Sequence, residues 1–180
     1  MNKIIAVVGM CGSGKSVASE LLVEKGYKRV YFGGVTMEKL KEKGLEVTPE
    51  NEKMMREKLR EDLGMGAFAK LLLPKIKELS SDNLVVLDGL YSWDEYKILS
   101  EEFKKQLVTI AIVCDKKIRY NRLKIREERA LTSSQARERD LAEIENIAKA
   151  PPIAYADYYI FNNGTLDEYK DRLEEILKQI

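Results

Sequence analysis

Between Gly9 and Ser16 the chain reads GMCGSGKS, and no other stretch narrows its possible folds as much. It follows a short apolar run, KIIAVV (3–8), and opens an amphipathic one, KSVASELLVEKG (15–26), that ends at Gly26. Glycine loses the most backbone entropy on folding, and Gly9, Gly12 and Gly14 together exceed what a tight turn needs. The spacing G-x-x-x-x-G-K-[ST] is complete, and it sits between a strand and a helix, where a phosphate cradle has to sit. There the glycines let backbone amides converge on an anion, and the helix end adds partial positive charge. Lys15 is placed to reach the outer phosphates and Ser16 to hold Mg²⁺, with Ser13 and Val17 beside them in the cradle.

Downstream, short β-branched runs alternate with helical patterns. KRVYF (28–32), NLVVLDG (83–89), LVTIAIVC (107–114) and YYIF (158–161) read as further strands. Thr48-Pro49 gives a cap and first turn to a helical region that reaches about Leu79, with a break near Gly64–Gly66. A helix is expected from about Lys116 to Arg129. Thr132 with Gln135, and Thr165 with Glu168, are capping boxes for two more. Alternating strands and helices with nearly continuous apolar strands predict a parallel sheet covered on both faces.

Composition removes several classes of function. In 180 residues there is no histidine, so triads and metal sites that depend on it are excluded. Cys11 and Cys114 lie far apart, without disulfide or metal spacing, and Cys11 reads as a small filler. Thirty-one Lys and Arg against 30 Asp and Glu leave a net charge of +1, no basis for binding nucleic acid or an anionic membrane. The apolar N-terminal run is too short for a signal-peptide core, so a cytoplasmic location is expected.

Other candidates carry alternatives. Asp88 ends its strand where it would orient a Mg²⁺-bound water, or where it would simply start a turn with Gly89. Asp115 is expected to cap the next helix. Arg119, Arg122, Arg126 and Arg129 are spaced to form one helical stripe. They would bind phosphate, or pair with acids such as Glu127 and Glu128. Arg139, in RERD (137–140), is the candidate for the transferred phosphoryl group. NNGT (162–165) is a turn by composition, and as a functional element Asn163 and Gly164 would meet the adenine edge by backbone contact. No Asn-Lys-x-Asp guanine signature occurs. The Met and Leu residues of 54–79 read as core.

With GMCGSGKS, VVLDG (85–89), RERD and ADYYIFNNGTLDEY (156–169) in view, nearly the whole chain resembles the P-loop nucleotide kinases. Within them it is similar to the archaeal family related to adenylate kinase and dephospho-coenzyme A kinase. The resemblance implies a nucleoside-monophosphate-kinase-like three-layer α/β fold with a five-stranded parallel sheet ordered 2-3-1-4-5. It implies one domain over 1–180, with an acceptor-binding insert over about 34–80 and a short lid over about 126–138. ATP and Mg²⁺ are the implied cofactors and an AMP-like acceptor the implied partner, in a monomer or homodimer. Lys15, Asp88, Arg122, Arg126 and Arg139 are then the catalytic set. Gly33, Met37, Arg60, Asp88 and Tyr91 fall on the acceptor side. Two departures stand out. Gly33-Gly34-Val35-Thr36-Met37 replaces a Gly-Asp-x-x-Arg pattern, and Leu90, Tyr91 and Ser92 stand where an arginine follows Asp-Gly. Both missing arginines would face the acceptor, which leaves a nucleotide sensor or ATPase without efficient transfer as one alternative. Dephospho-coenzyme A kinase-like activity is another, though Gly34 cannot supply the aspartate that such kinases use as a base near strand two.

Overall fold

The computed structural model describes residues 3–127 and 129–180. Strands β1 (Ile4–Val8), β2 (Lys28–Tyr31), β3 (Val85–Asp88), β4 (Leu107–Val113) and β5 (Tyr158–Phe161) form a parallel sheet. Their order is β2-β3-β1-β4-β5, as the resemblance implied. β1 is buried along its whole length because successive residues serve opposite faces of the sheet. Ile4, Ala6 and Val8 join one core with Phe32, Leu40, Ile76 and Leu99. Ile5 and Val7 join a second with Leu22, Ile112, Leu173 and Ile176. A strand that feeds two cores has no polar face, which is why it reads as a continuous apolar run.

The helices are α1 (Lys15–Glu24), α2 (Phe32–Glu42), α3 (Pro49–Leu63), α4 (Ala67–Asp82), α5 (Trp93–Phe103), α6 (Lys116–Lys124), α7 (Ser133–Glu145), α8 (Ala150–Ala154) and α9 (Leu166–Leu177). α2 to α5 supply the first core; α1 and α9 supply the second. α6 and α7 pack on the glycine-rich loop through a small cluster of Cys11, Leu123 and Ala136. Among the described residues, no helix is long and apolar enough to cross a membrane.

The expected caps are present at Thr48, Thr132 and Thr165. Two helices go beyond the sequence pattern. α2 begins at the residue read as the end of a strand and includes Gly33 and Gly34. Burial of Phe32, Val35, Thr36 and Leu40 along one face outweighs the glycine penalty there. α5 starts from a Ser92–Glu95 capping box, a local signal that the strand-and-loop reading of this region passed over. The helix predicted to Arg129 is shorter: it ends at Lys124, with Ile125 as its cap. Arg126 and Arg129 therefore leave the helical stripe.

Candidate functional site

The loop 9–14 lies between β1 and α1, at the point where β1's neighbours in the sheet, β3 and β4, diverge in connection. Its glycines answer to space as well as to dihedrals. Gly12 has φ +81°, and a Cβ there would stand 2.9 Å from the Arg119 carbonyl oxygen. Gly14 has φ +103°, and its Cβ would collide with the Asn162 side-chain amide. Four of the loop's carbonyls are tied by side chains. Lys15 Nζ donates to Met10 O at 2.9 Å, Arg119 Nη1 to Cys11 O at 2.9 Å, Asn162 Nδ2 to Ser13 O at 2.8 Å, and Tyr169 Oη to Gly14 O at 3.0 Å. α1 has no side-chain cap and no acid in its first turn. Its opening amides are thus left for an anion. Ser13 Oγ is buried without a hydrogen-bond partner.

Asp88 ends β3 opposite Val7 of β1 and is buried, with its carboxylate in an ion pair with Arg29 of β2. Ser16 is exposed in the first turn of α1. Among the described residues no group of three or more His, Cys, Asp or Glu could hold a metal. Two hard oxygen donors beside a phosphate cradle suit Mg²⁺, an ion that keeps waters and takes its other ligands from phosphates. They do not make an all-protein cage.

The four stripe arginines separate. Arg119 is buried, forming a two-pronged pair with Asp140 at 3.1 and 2.6 Å, so it braces α6 against α7 and the loop. Arg122 reaches Cys114 Sγ at 3.4 Å and Asn162 Oδ1 at 3.5 Å, within the loop's surroundings. Arg126 is exposed beyond the end of α6. Arg129, at φ +55°, crosses to Glu52 of α3 at 2.7 Å, where Arg56 also binds. Glu128, one of the acids considered for the stripe, lies outside the described residues. Asp115 holds the cap position of α6, yet its side chain makes no cap bond; its own amide donates to Asn163 Oδ1 at 2.9 Å. Asn163 and Gly164 are exposed in the turn after β5.

Around Tyr91 a charged cluster assembles. Arg139 Nε donates to Glu143 Oε1 at 3.2 Å, and Lys149 Nζ donates to Glu143 Oε2 at 2.6 Å. The Lys149 ammonium lies 4.7 Å from the centre of the Tyr91 ring. Burial, with nearby Tyr31 and Asp88, pushes the Tyr91 phenol above its ordinary range. Burial and the Lys149 ammonium push Lys15 down to about 7. The structure thus brings Lys15, Asp88, Tyr91 and Arg139 together around Glu143. Gly33 and exposed Met37 lie on α2 rather than in a connecting loop. Arg60, on α3, turns its guanidinium over the Phe68 ring, 5.2 Å from its centre, with Nε buried and unpartnered. Burial draws it below its usual range, against the pull of Glu95.

Sequence reasoning missed Arg29, Glu143, Lys149 and the loop-holding Asn162 and Tyr169. Asn162 stands inside the NNGT turn and Tyr169 on the last helix, both already singled out by their patterns. Lys149, a lone lysine shortly before two prolines, carries no local signal.

The family model described as AAA domain matches residues 5–146. A UPF0200 protein of Sulfurisphaera tokodaii is 39% identical, over 99% of this chain and 97% of its own length. Among solved structures, shikimate kinase from Bacteroides thetaiotaomicron superposes with TM-score 0.61 at 13% identity, covering 98% of this chain and 97% of that one. A sugar kinase from Janibacter sp. superposes with TM-score 0.59 at 12% identity, covering 99% and 94%. Those two likenesses are of fold, whereas identity over nearly the full length of an archaeal relative is of lineage: this chain belongs to the UPF0200 family and carries a P-loop AAA-type domain.

Proposed function

We propose that this protein is an ATP-dependent kinase that phosphorylates a nucleoside monophosphate such as AMP. The observation that carries the reading is the glycine-rich loop, whose carbonyls at Met10, Cys11, Ser13 and Gly14 are each tied by a side chain. A loop held in that shape presents amides to phosphate without reorganising on binding. Lys15 and the amides from Gly12 to Val17 hold the β- and γ-phosphates. Asn163 and Gly164 border the base. Ser16 and Asp88 hold Mg²⁺, which supplies charge neutralisation between phosphates.

Arg139, with Arg122, offsets charge on the transferred group, and Arg126 approaches only as the segment 126–138 closes as a lid and excludes water. The insert over 34–80 receives the acceptor, with Arg60 and Tyr91 to bind it and Gly33 and Met37 on its wall. A phosphate oxygen of the acceptor needs no base to attack, so the lack of histidine is no obstacle.

A second reading, a sensor or ATPase that binds adenine nucleotide without efficient transfer, draws on the acceptor half. There Arg29 is paired with Asp88 and Arg56 with Glu52. One experiment separates the readings. Wild type and Lys15→Ala are assayed with ATP-Mg against AMP, other nucleoside monophosphates and dephospho-coenzyme A, beside calorimetric ATP binding. The expected result is transfer to a nucleoside monophosphate, reduced ~10²-fold or more by Lys15→Ala. Tight ATP binding with no transfer to any acceptor selects the sensor. Binding unchanged in Lys15→Ala refutes both.

A further inference from the structure

Lys149 has no part in the mechanism above, although it is held by Glu143 and by the face of the Tyr91 ring. It is 2% exposed, at the cap of the short helix α8. Burying an ammonium costs several kcal/mol unless it is well paired. Its partner Glu143 is shared with Arg139, so one carboxylate serves two cations. Lys15 adds a third cation, bonded to the neutral Met10 carbonyl, while Asp88 is matched by Arg29. The region between the glycine-rich loop and Tyr91 therefore carries more positive than negative charge, in surroundings where water screens it poorly. A purely structural pair would balance, and an apolar side chain would fill the same volume at no electrostatic cost.

We propose that Lys149 is a second phosphate-binding lysine, which with Lys15 holds the outermost phosphate of the bound nucleoside triphosphate. Lysine suits this role because its ammonium is a point charge on a flexible stem. It can move from Glu143 to a phosphate while the Nε of Arg139 keeps Glu143 occupied and its Nη groups serve the transferred group. Lys149 stands beside the Tyr91 ring and Glu143 of α7, the helix that packs on the glycine-rich loop, so its ammonium repels that of Lys15. An anion between them removes that repulsion. The assignment rests on the kinase reading, because it needs the loop to hold a triphosphate.

The test compares ATP and ADP affinities of wild type and Lys149→Met by calorimetry, with melting temperatures alongside. Arg139 remains to partner Glu143, so the variant should fold. A contact made only to the outermost phosphate lowers ATP affinity by about tenfold or more and leaves ADP affinity nearly unchanged. An unaltered ATP-to-ADP ratio overturns the proposal, even if the melting temperature falls, because that pattern is a structural role. If Lys149→Met does not fold, Glu143→Gln serves instead. It makes the region more cationic and should raise the ATP-to-ADP ratio several-fold; an unchanged or lower ratio overturns the proposal. Wild type that binds neither nucleotide refutes the kinase reading itself, whereas wild type that binds ATP beside an indifferent Lys149→Met refutes only this assignment.

Discussion

Glu95 accepts the amides of Tyr91 and Ser92 through Oε2, at 2.8 and 3.0 Å, while its Oε1 is buried without a partner. Burial raises its carboxyl from 4.5 to about 7, against the two amides and the Arg60 guanidinium, which favour the charged form. The folded protein then holds this proton more tightly than the unfolded chain does. The stability gained is fully present below about pH 4.5 and is lost as pH rises through about 7. Glu95→Gln keeps an oxygen for the two amides but cannot ionise. Its stability relative to wild type should therefore improve by about 2 kcal/mol between pH 5 and pH 8, read from urea unfolding at each pH. A difference that stays flat over this range would show that Glu95 is charged throughout. A capping glutamate set beside Tyr91 thus makes the wall of the proposed acceptor site sensitive to pH.

The arginines of α6 show how an element can be legible in its spacing and misread in its role. Arg119 and Arg126 look equivalent on a helical wheel, yet one is buried against Asp140 and the other exposed past the helix end. Arg119→Ala strands the Asp140 carboxylate, left among the described residues with the Tyr120 hydroxyl at 3.2 Å, and should cost about 3 kcal/mol of unfolding free energy. Arg126→Ala should leave the urea midpoint where it is. Equal effects would restore the solvated stripe. The strands and the glycine-rich loop were readable because their signals are local: a run of apolar residues, a fixed spacing, a cap. α2 was not, because Gly33 and Gly34 outweigh, in sequence, a buried face that only the sheet makes worthwhile. Lys149 and Glu143 were not, because a charge's burial depends on what packs above it. The same holds for Arg29, whose partner Asp88 is 59 residues away.

Across the molecule, the segment after α6 is joined to the helices between β2 and β3 by Arg129, which reaches Glu52 of α3. Glu52 is 8% exposed and also holds Arg56, so the link has a fixed end on α3 and a loose one on the loop. If this loop is the lid, ATP-Mg with AMP should slow amide exchange over 125–132 beyond what ATP-Mg alone achieves. Arg129→Ala should speed exchange there in the free protein. Exchange indifferent to nucleotide would remove the lid from the mechanism. The glycine-rich loop has a longer reach still. Three of its carbonyls are held by Arg119, Asn162 and Tyr169, at separations of 108, 149 and 155 residues. A ribosome that has just added Leu90 has already made GMCGSGKS, but none of those three side chains that hold it in shape. The motif is therefore made long before the side chains that shape it, and the loop can take its folded form only once Tyr169 has emerged.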